Sequence, residues 1–228
     1  MRFQAPESLS EQIAQHLGQR IIVGQMQPGD RIQELRIAGE LNVSRGSVRE
    51  ALLILQRRHL IDIYPRKGAV VSALTPTAVN GLYDVYIELL AMLARRVVEL
   101  TEGADLMPLV ERMRALDELV VSAGDDHERI IEGGFELMRH AFGIADNPFL
   151  EETLENFRPA ISRTYYLAMA RFREEVGETR RLFQTLARAA LDRDADALAG
   201  AIRHFGEHQR SLVLKTLNSE MDASAQTG

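Results

Sequence analysis

Leu41-Asn42-Val43-Ser44-Arg45-Gly46-Ser47-Val48-Arg49-Glu50-Ala51-Leu52 is the stretch whose reading decides the fold. Ser44 stands as a helix N-cap, its hydroxyl able to accept from a backbone N–H left unpaired where a helix begins. Stepping about 100° per residue, Val48, Ala51, Leu52 and Leu55 fall on one arc suited to a core. Arg45, Gly46 and Arg49 fall on a neighbouring arc pointing away from it. Two guanidiniums therefore project near the N-terminal end of a short helix, with no side chain at Gly46 to obstruct them. Groups that read base edges in a major groove stand at that end of a recognition helix.

The flanking residues complete the unit. Gln33 to Leu41 has a helical pattern that can turn Leu35, Ile37, Ala38 and Leu41 inward, and Asn42-Val43 makes the short turn. Downstream, Leu60 to Val71 holds two short β-branched runs joined by Pro65-Arg66-Lys67-Gly68, which predicts a hairpin. A basic hairpin tip beside a recognition helix is a wing, placed to touch phosphate or the minor groove. Leu53 and Ile54 lie off the core arc and are expected to pack on the domain that follows or on a second copy of the chain.

Several short motifs in this region carry a family resemblance. Pro28-Gly29-Asp30-Arg31-Ile32, Glu34-Leu35, Val43-Ser44-Arg45, Val48-Arg49-Glu50-Ala51-Leu52 and Pro65-Arg66-Lys67-Gly68 together resemble the winged helix of the GntR superfamily, over about residues 8–72. The resemblance implies base contacts from Arg45 and Arg49, phosphate contacts from Ser44 and Ser47, and a groove contact from Arg66, Lys67 and Gly68. Arg36 and the Gly46 backbone join this expected DNA-binding set. Two residues depart from the pattern. Gly46 replaces a usual Thr, and His59 replaces a helix-ending Gly whose position favours a left-handed backbone.

The 228 residues suffice for a winged helix-turn-helix (residues 1–72), a linker (73–75) and a second domain with its own core (76–218). Cysteine is absent, which removes disulfides, thiolate metal sites and a Cys nucleophile. No apolar run approaches the roughly 18 residues of a membrane span, and no apolar stretch marks a signal peptide, so a cytoplasmic protein is expected. Residues 1–75 hold 10 Lys and Arg against 7 Asp and Glu, a net of +3; the remainder holds 17 against 26, a net of −9. Phosphates attract the first half and repel the second, so the halves have different work.

From Thr75-Pro76, an N-cap followed by Pro at the first helical position, the pattern is helical throughout. Leu82, Val85, Leu89, Leu93 and Val97 predict one stripe. Later helices are expected over Leu106–Val121 after Gly103, from Asp125-Asp126 to Ala145, over Phe149–Ala170, over Thr179–Leu191, and from Asp194 to about Asn218. Residues 219–228 read as a small, polar, disordered tail. The expected fold is thus mostly α: an N-terminal winged helix-turn-helix, then an all-α antiparallel bundle of about six helices.

Phe142-Gly143-Ile144-Ala145-Asp146-Asn147-Pro148-Phe149-Leu150, supported by Asp194-Ala195-Asp196-Ala197, resembles the FCD effector domain of the FadR subfamily. Many such domains hold a divalent metal. By the resemblance, the ligand positions fall on Gly134, Met138, Phe183 and Phe205, an effector-holding Arg falls on Tyr86, and a common Glu falls on Leu90. No cofactor or metal is therefore expected. Tyr86, Leu90, Gly134, Met138, Phe183 and Phe205 either line an apolar effector pocket for an acyl-type metabolite or fill space as core in a dimerisation scaffold. A displaced metal site is a further alternative, using Glu136 with His140 and His204 with His208. No catalytic motif emerges, and the acid pairs Glu151-Glu152 and Glu174-Glu175 fall on solvent faces. The expectation is a homodimeric transcriptional regulator, a repressor in type, that binds an inverted-repeat operator in double-stranded DNA and responds to a small molecule.

Overall fold

The computed structural model describes residues 8–101, 106–122, 126–172 and 176–226. Its elements, in chain order, are α1 (Leu9–Ile22), β1 (Arg31–Ile32), α2 (Glu34–Leu41), α3 (Arg45–Arg57), β2 (Ile61–Tyr64), β3 (Gly68–Val71), α4 (Pro76–Leu100), α5 (Met107–Ser122), α6 (His127–Ala145), α7 (Pro148–Phe172), α8 (Val176–Leu191) and α9 (Ala195–Gln226). They fall into two compact units, one of residues 1–75 and 156–167, the other of residues 76–155 and 168–228.

In the first unit, α1 begins at Ser8, whose hydroxyl accepts from the Glu11 N–H. Its buried face, Ile13, Ala14, Leu17 and Ile21, joins the same core cluster as Val48, Ala51, Leu52 and Leu55 of α3. A Cβ at Gly18 would lie 3.4 Å from both Leu55 and Leu60, an ordinary contact that places α1 against α3 and the start of β2. Met26, Ile32, Ile37, Ala38, Leu60, Ile61, Ala69 and Val71 complete the cluster. Each fully buried large aliphatic side chain stabilises by about 1.5–3 kcal/mol, which makes this core the main support of α3. At its margin Ser10 donates to Glu50, and Arg58 pairs with Glu11 at 2.6 Å.

The arc drawn from the sequence for α3 is the buried one, but two expectations beside it need correction. Leu35 is 67% exposed. It lies two residues, about 200° of helix, from Ile37, so the two cannot share a buried face. Ile54 packs against the winged helix's own core, and only Leu53 is left outward.

α2 ends at Asn42 in the left-handed conformation (φ 52°), and the Val43 N–H returns to the Ala38 carbonyl at 3.0 Å. The expected hairpin is β2–β3, with Tyr64 opposite Gly68 and Ile61 opposite Val71. β1 adds to the other edge of β3, giving the antiparallel order β1-β3-β2. Residues 156–167 of α7 also belong to this unit. There the His59 ring stacks on Phe157 at 5.1 Å, and Arg163, 5% exposed, donates to the Ser72 carbonyl. His59 is left-handed (φ 57°), the backbone for which its position usually takes Gly.

The second unit is a helical bundle. The buried face of α4 runs through Val79, Tyr83, Tyr86, Ile87, Ala91, Ala94 and Val97, whereas Val85 from the expected stripe is 47% exposed. Leu93 and Val97 of that stripe are buried and Leu82 and Leu89 half-buried, while Tyr83, Tyr86, Ala91 and Ala94 add a part of the face that a pattern of Leu and Val does not show. α9 lies close against α4: a Cβ on Gly206 would sit 2.5 Å from Ile87 Cγ1. Arg203 binds Glu88 across the same pair of helices at 2.7 Å.

Between α6 and α7 the motif residues divide the work. Asp146 is left-handed (φ 45°), the Asn147 side chain accepts from the Leu150 N–H, and Pro148 starts α7. Asp126 caps α6 and Asp194 caps α9. α9 continues to Gln226, past Asn218 where the sequence led us to end it. Ser219 to Gln226 contains no Gly or Pro, so nothing there stops helix propagation. Gly103, Asp125 and the pair Glu174-Glu175 lie outside the described residues.

Candidate nucleic-acid interface

The N-cap of α3 forms as its sequence requires. Ser44 is extended (φ −72°, ψ 149°), and its Oγ accepts from the Ser47 N–H at 3.1 Å and lies 2.9 Å from the Ser47 Oγ. The next turn carries Arg45 and Arg49 outward, their side chains 56% and 66% exposed, on an arc adjoining the face of near-zero exposure formed by Val48, Ala51, Leu52 and Leu55. At Gly46 the nearest atom to a hypothetical Cβ is the Ser44 Oγ at 3.6 Å, so the surface between the arginines is open. Arg36 on α2 is exposed as well.

Both arginines meet one carboxylate. Glu34, the first residue of α2, accepts from Arg49 Nε at 3.3 Å and Arg49 Nη2 at 3.2 Å, and from Arg45 Nη2 at 3.3 Å. The Arg49 hydrogen bonds hold Glu34 below its ordinary carboxylate value; burial opposes them, and the Arg45 hydrogen bond and the charges of both arginines add to the fall. The same bonds raise the Arg49 pKa. Sequence reasoning missed Glu34, because 11 and 15 residues separate it from its partners and only the helix-turn-helix geometry brings them together. Its signal was an acid opening the helix before a basic one.

The wing tip is built for a turn with exposed cations. Arg66 (φ 64°) and Gly68 (φ 80°) take left-handed conformations, and Lys67 Nζ lies 5.6 Å from the Tyr64 ring centroid. Arg31 on β1 donates to the Lys67 carbonyl at 2.7 Å and so ties the tip to the third strand.

In the helical unit the structure brings together some of the six expected pocket residues. Tyr86, Met138 and Phe183 are buried at 6–7% exposure, and the Tyr86 hydroxyl donates to Met138 Sδ at 3.8 Å. Leu90 and Gly134 are half-buried, with open space where a Gly134 Cβ would be. Phe205 instead lines a groove of about 280 Å³ between α8 and α9, beside Leu182, Thr185, Glu178 and His204. Gly134, Met138, Phe183 and Phe205 offer no nitrogen or oxygen side chain to a metal ion. Among the described residues, no three His, Cys, Asp or Glu side chains group to hold one. His140 Nδ1 lies 2.8 Å from the Glu136 backbone carbonyl, and His204 faces Glu178 at 3.8 Å.

A recognition helix with exposed arginines, a basic wing and a separate helical unit define a winged-helix DNA-binding regulator. The model of the gntR family of bacterial regulatory proteins matches residues 9–71, and that of the FCD domain matches residues 81–208. The chain belongs to the GntR family, in its FCD-containing, FadR-like subfamily. It is a DNA-binding transcriptional regulator, not an enzyme. The gluconate operon transcriptional repressor of Bacillus subtilis (strain 168) is 30% identical over 71% of this chain and 65% of its own length. That of Bacillus licheniformis is 25% identical over 94% of this chain and 83% of its own length. The structure of E. coli McbR/YncC superposes with a TM-score of 0.71 at 20% identity, covering 93% of this chain and all of that one. No helix among the described residues is long and apolar enough to cross a membrane.

Proposed function

We propose that this chain is a cytoplasmic, homodimeric repressor that reads an inverted-repeat operator through Arg45 and Arg49. Ser44, Ser47, the Gly46 backbone and Arg36 contact the phosphates alongside, and Arg66, Lys67 and Gly68 contact the neighbouring groove. One recognition helix reads few base pairs, and two-fold pairing on a repeated half-site multiplies its selectivity. The observation that carries the reading is the two-faced α3: a fully buried face fixes the helix, and the face beside it holds two guanidiniums exposed.

The test is selection of duplexes from a random pool by the wild-type protein, followed by binding of Arg49→Ala. Loss of a bidentate base contact weakens binding to the enriched duplex by about 1–3 kcal/mol and relaxes selectivity at one position. Equal weakening on enriched and shuffled duplexes refutes base reading by Arg49.

The helical unit is proposed to bind a small apolar or acyl-type metabolite among Tyr86, Leu90, Gly134, Met138, Phe183 and Phe205, and to change DNA affinity by favouring one arrangement of the dimer. The Tyr86 hydroxyl reaching Met138 Sδ supports the reading that these side chains share one apolar site. The related repressors are named for a gluconate operon, but this apolar set carries no cation to hold a sugar acid. A second reading has its own support: Tyr86, Met138 and Phe183 are closed in as core, as in a domain that only dimerises. Mass spectrometry of small molecules retained through purification separates the two. A stoichiometric acyl compound supports the pocket; no retained molecule, and no thermal shift with fatty acids, acyl-CoA or gluconate, supports the scaffold.

A further inference from the structure

We infer that Glu34 is a specificity-determining residue, a carboxylate that orients Arg45 and Arg49 and suppresses their attachment to phosphate of any sequence. This rests on the reading that the two arginines meet bases. Glu34 engages the Nε–Nη2 edge of Arg49, the side-on edge, and leaves the Nη1 end free. It takes a single Nη2 of Arg45. A guanidinium held by one edge presents its remaining donors in a fixed plane, as the paired acceptors of guanine require. A free arginine would have to lose its rotamer freedom on reaching the base.

Two guanidiniums and one carboxylate present a net charge of +1 where two guanidiniums alone would present +2. Binding without regard to sequence depends on neutralised phosphates and released counterions, so the carboxylate weakens it. Operator binding is weakened less, because preset orientation favours the base contacts. Glu34 thereby widens the gap between the two modes rather than strengthening either.

Glu34 also opens α2, where an acid favours the helix N-terminus. Were that its whole role, neutralising it would weaken both binding modes alike. The experiment measures Glu34→Gln and Glu34→Asp on the duplex enriched by the wild-type protein and on a shuffled duplex of equal composition, across a salt series. Glu34→Gln is expected to tighten binding to the shuffled duplex and steepen its salt dependence by about 0.9. The enriched-to-shuffled ratio then falls about fivefold, the scale of one exposed ion pair. Glu34→Asp keeps the charge but reaches less far, so its salt dependence stays at wild type while the ratio falls. An unchanged ratio in both variants overturns the inference, as does equal weakening on both duplexes. Failure of the random pool to enrich any sequence overturns the base reading itself, and the inference with it.

Discussion

Gly206→Ala is expected to reverse its sign with the residue at position 87. On α9 the new methyl group would lie 2.5 Å from Ile87 Cγ1 and 2.8 Å from Cδ1, about 1 Å inside the usual carbon–carbon contact of about 3.5–4.0 Å. Ile87 is 4% exposed and β-branched on a helix, so it has almost no other rotamer to adopt. Overpacking of this kind costs about 1–3 kcal/mol, and this site belongs near the top of that range. Replacing Gly by Ala inside a helix returns about 1 kcal/mol, leaving a net loss of about 2 kcal/mol. For a chain of this size that lowers the thermal midpoint by about 4–8 °C. Ile87→Ala alone costs about 2–5 kcal/mol as a cavity. In that background Gly206→Ala becomes stabilising by about 1 kcal/mol, because the methyl enters the space vacated. The four proteins form a double-mutant cycle with a coupling of about 3 kcal/mol, read by urea and thermal unfolding. Stabilisation by Gly206→Ala in both backgrounds would refute the reasoning. The site matters for function because Tyr86 and Phe205, both in the proposed effector set, are the chain neighbours of this contact.

Further outcomes follow from the first unit. His59→Ala keeps the left-handed backbone at 59 and loses the Phe157 stack, whereas His59→Gly loses the stack but relieves the backbone. The Ala variant should be the less stable by about 1 kcal/mol in urea unfolding; equal stabilities would show that His59 carries no conformational cost. Glu34 has a folded pKa below its unfolded one, so its pairing with Arg49 and Arg45 contributes stability above the ordinary carboxylate range and loses it as pH falls through the folded value. The stability difference between wild type and Glu34→Gln should therefore be present at neutral pH and vanish in acid. A difference that grows in acid would contradict the sign.

Much of this protein was legible along the chain because the deciding signals are local. Ser44, the Val48–Ala51–Leu52–Leu55 arc and the Pro65–Gly68 turn each obey rules acting over a few residues: an orphan N–H needs an acceptor, a helix turns 100° per step, and a tight turn needs permissive backbone. The misjudged residues lie at the edges of those rules. Val85 looked buried by composition and Leu35 by proximity to Ile37, yet which side of a helix is covered depends on what packs against it.

Sequence alone settled the winged helix followed by a helical bundle, the recognition helix with its pair of outward arginines, and the capped junction at Asp146-Asn147-Pro148, since each depends on neighbours within a turn or two. Tertiary structure alone decided that Glu34 holds both arginines, that β1 completes the wing, and that α9 presses Gly206 against Ile87. Those contacts join residues far apart in the chain, and no periodicity encodes them: they exist only because burying the apolar faces brings distant segments within hydrogen-bonding and van der Waals reach.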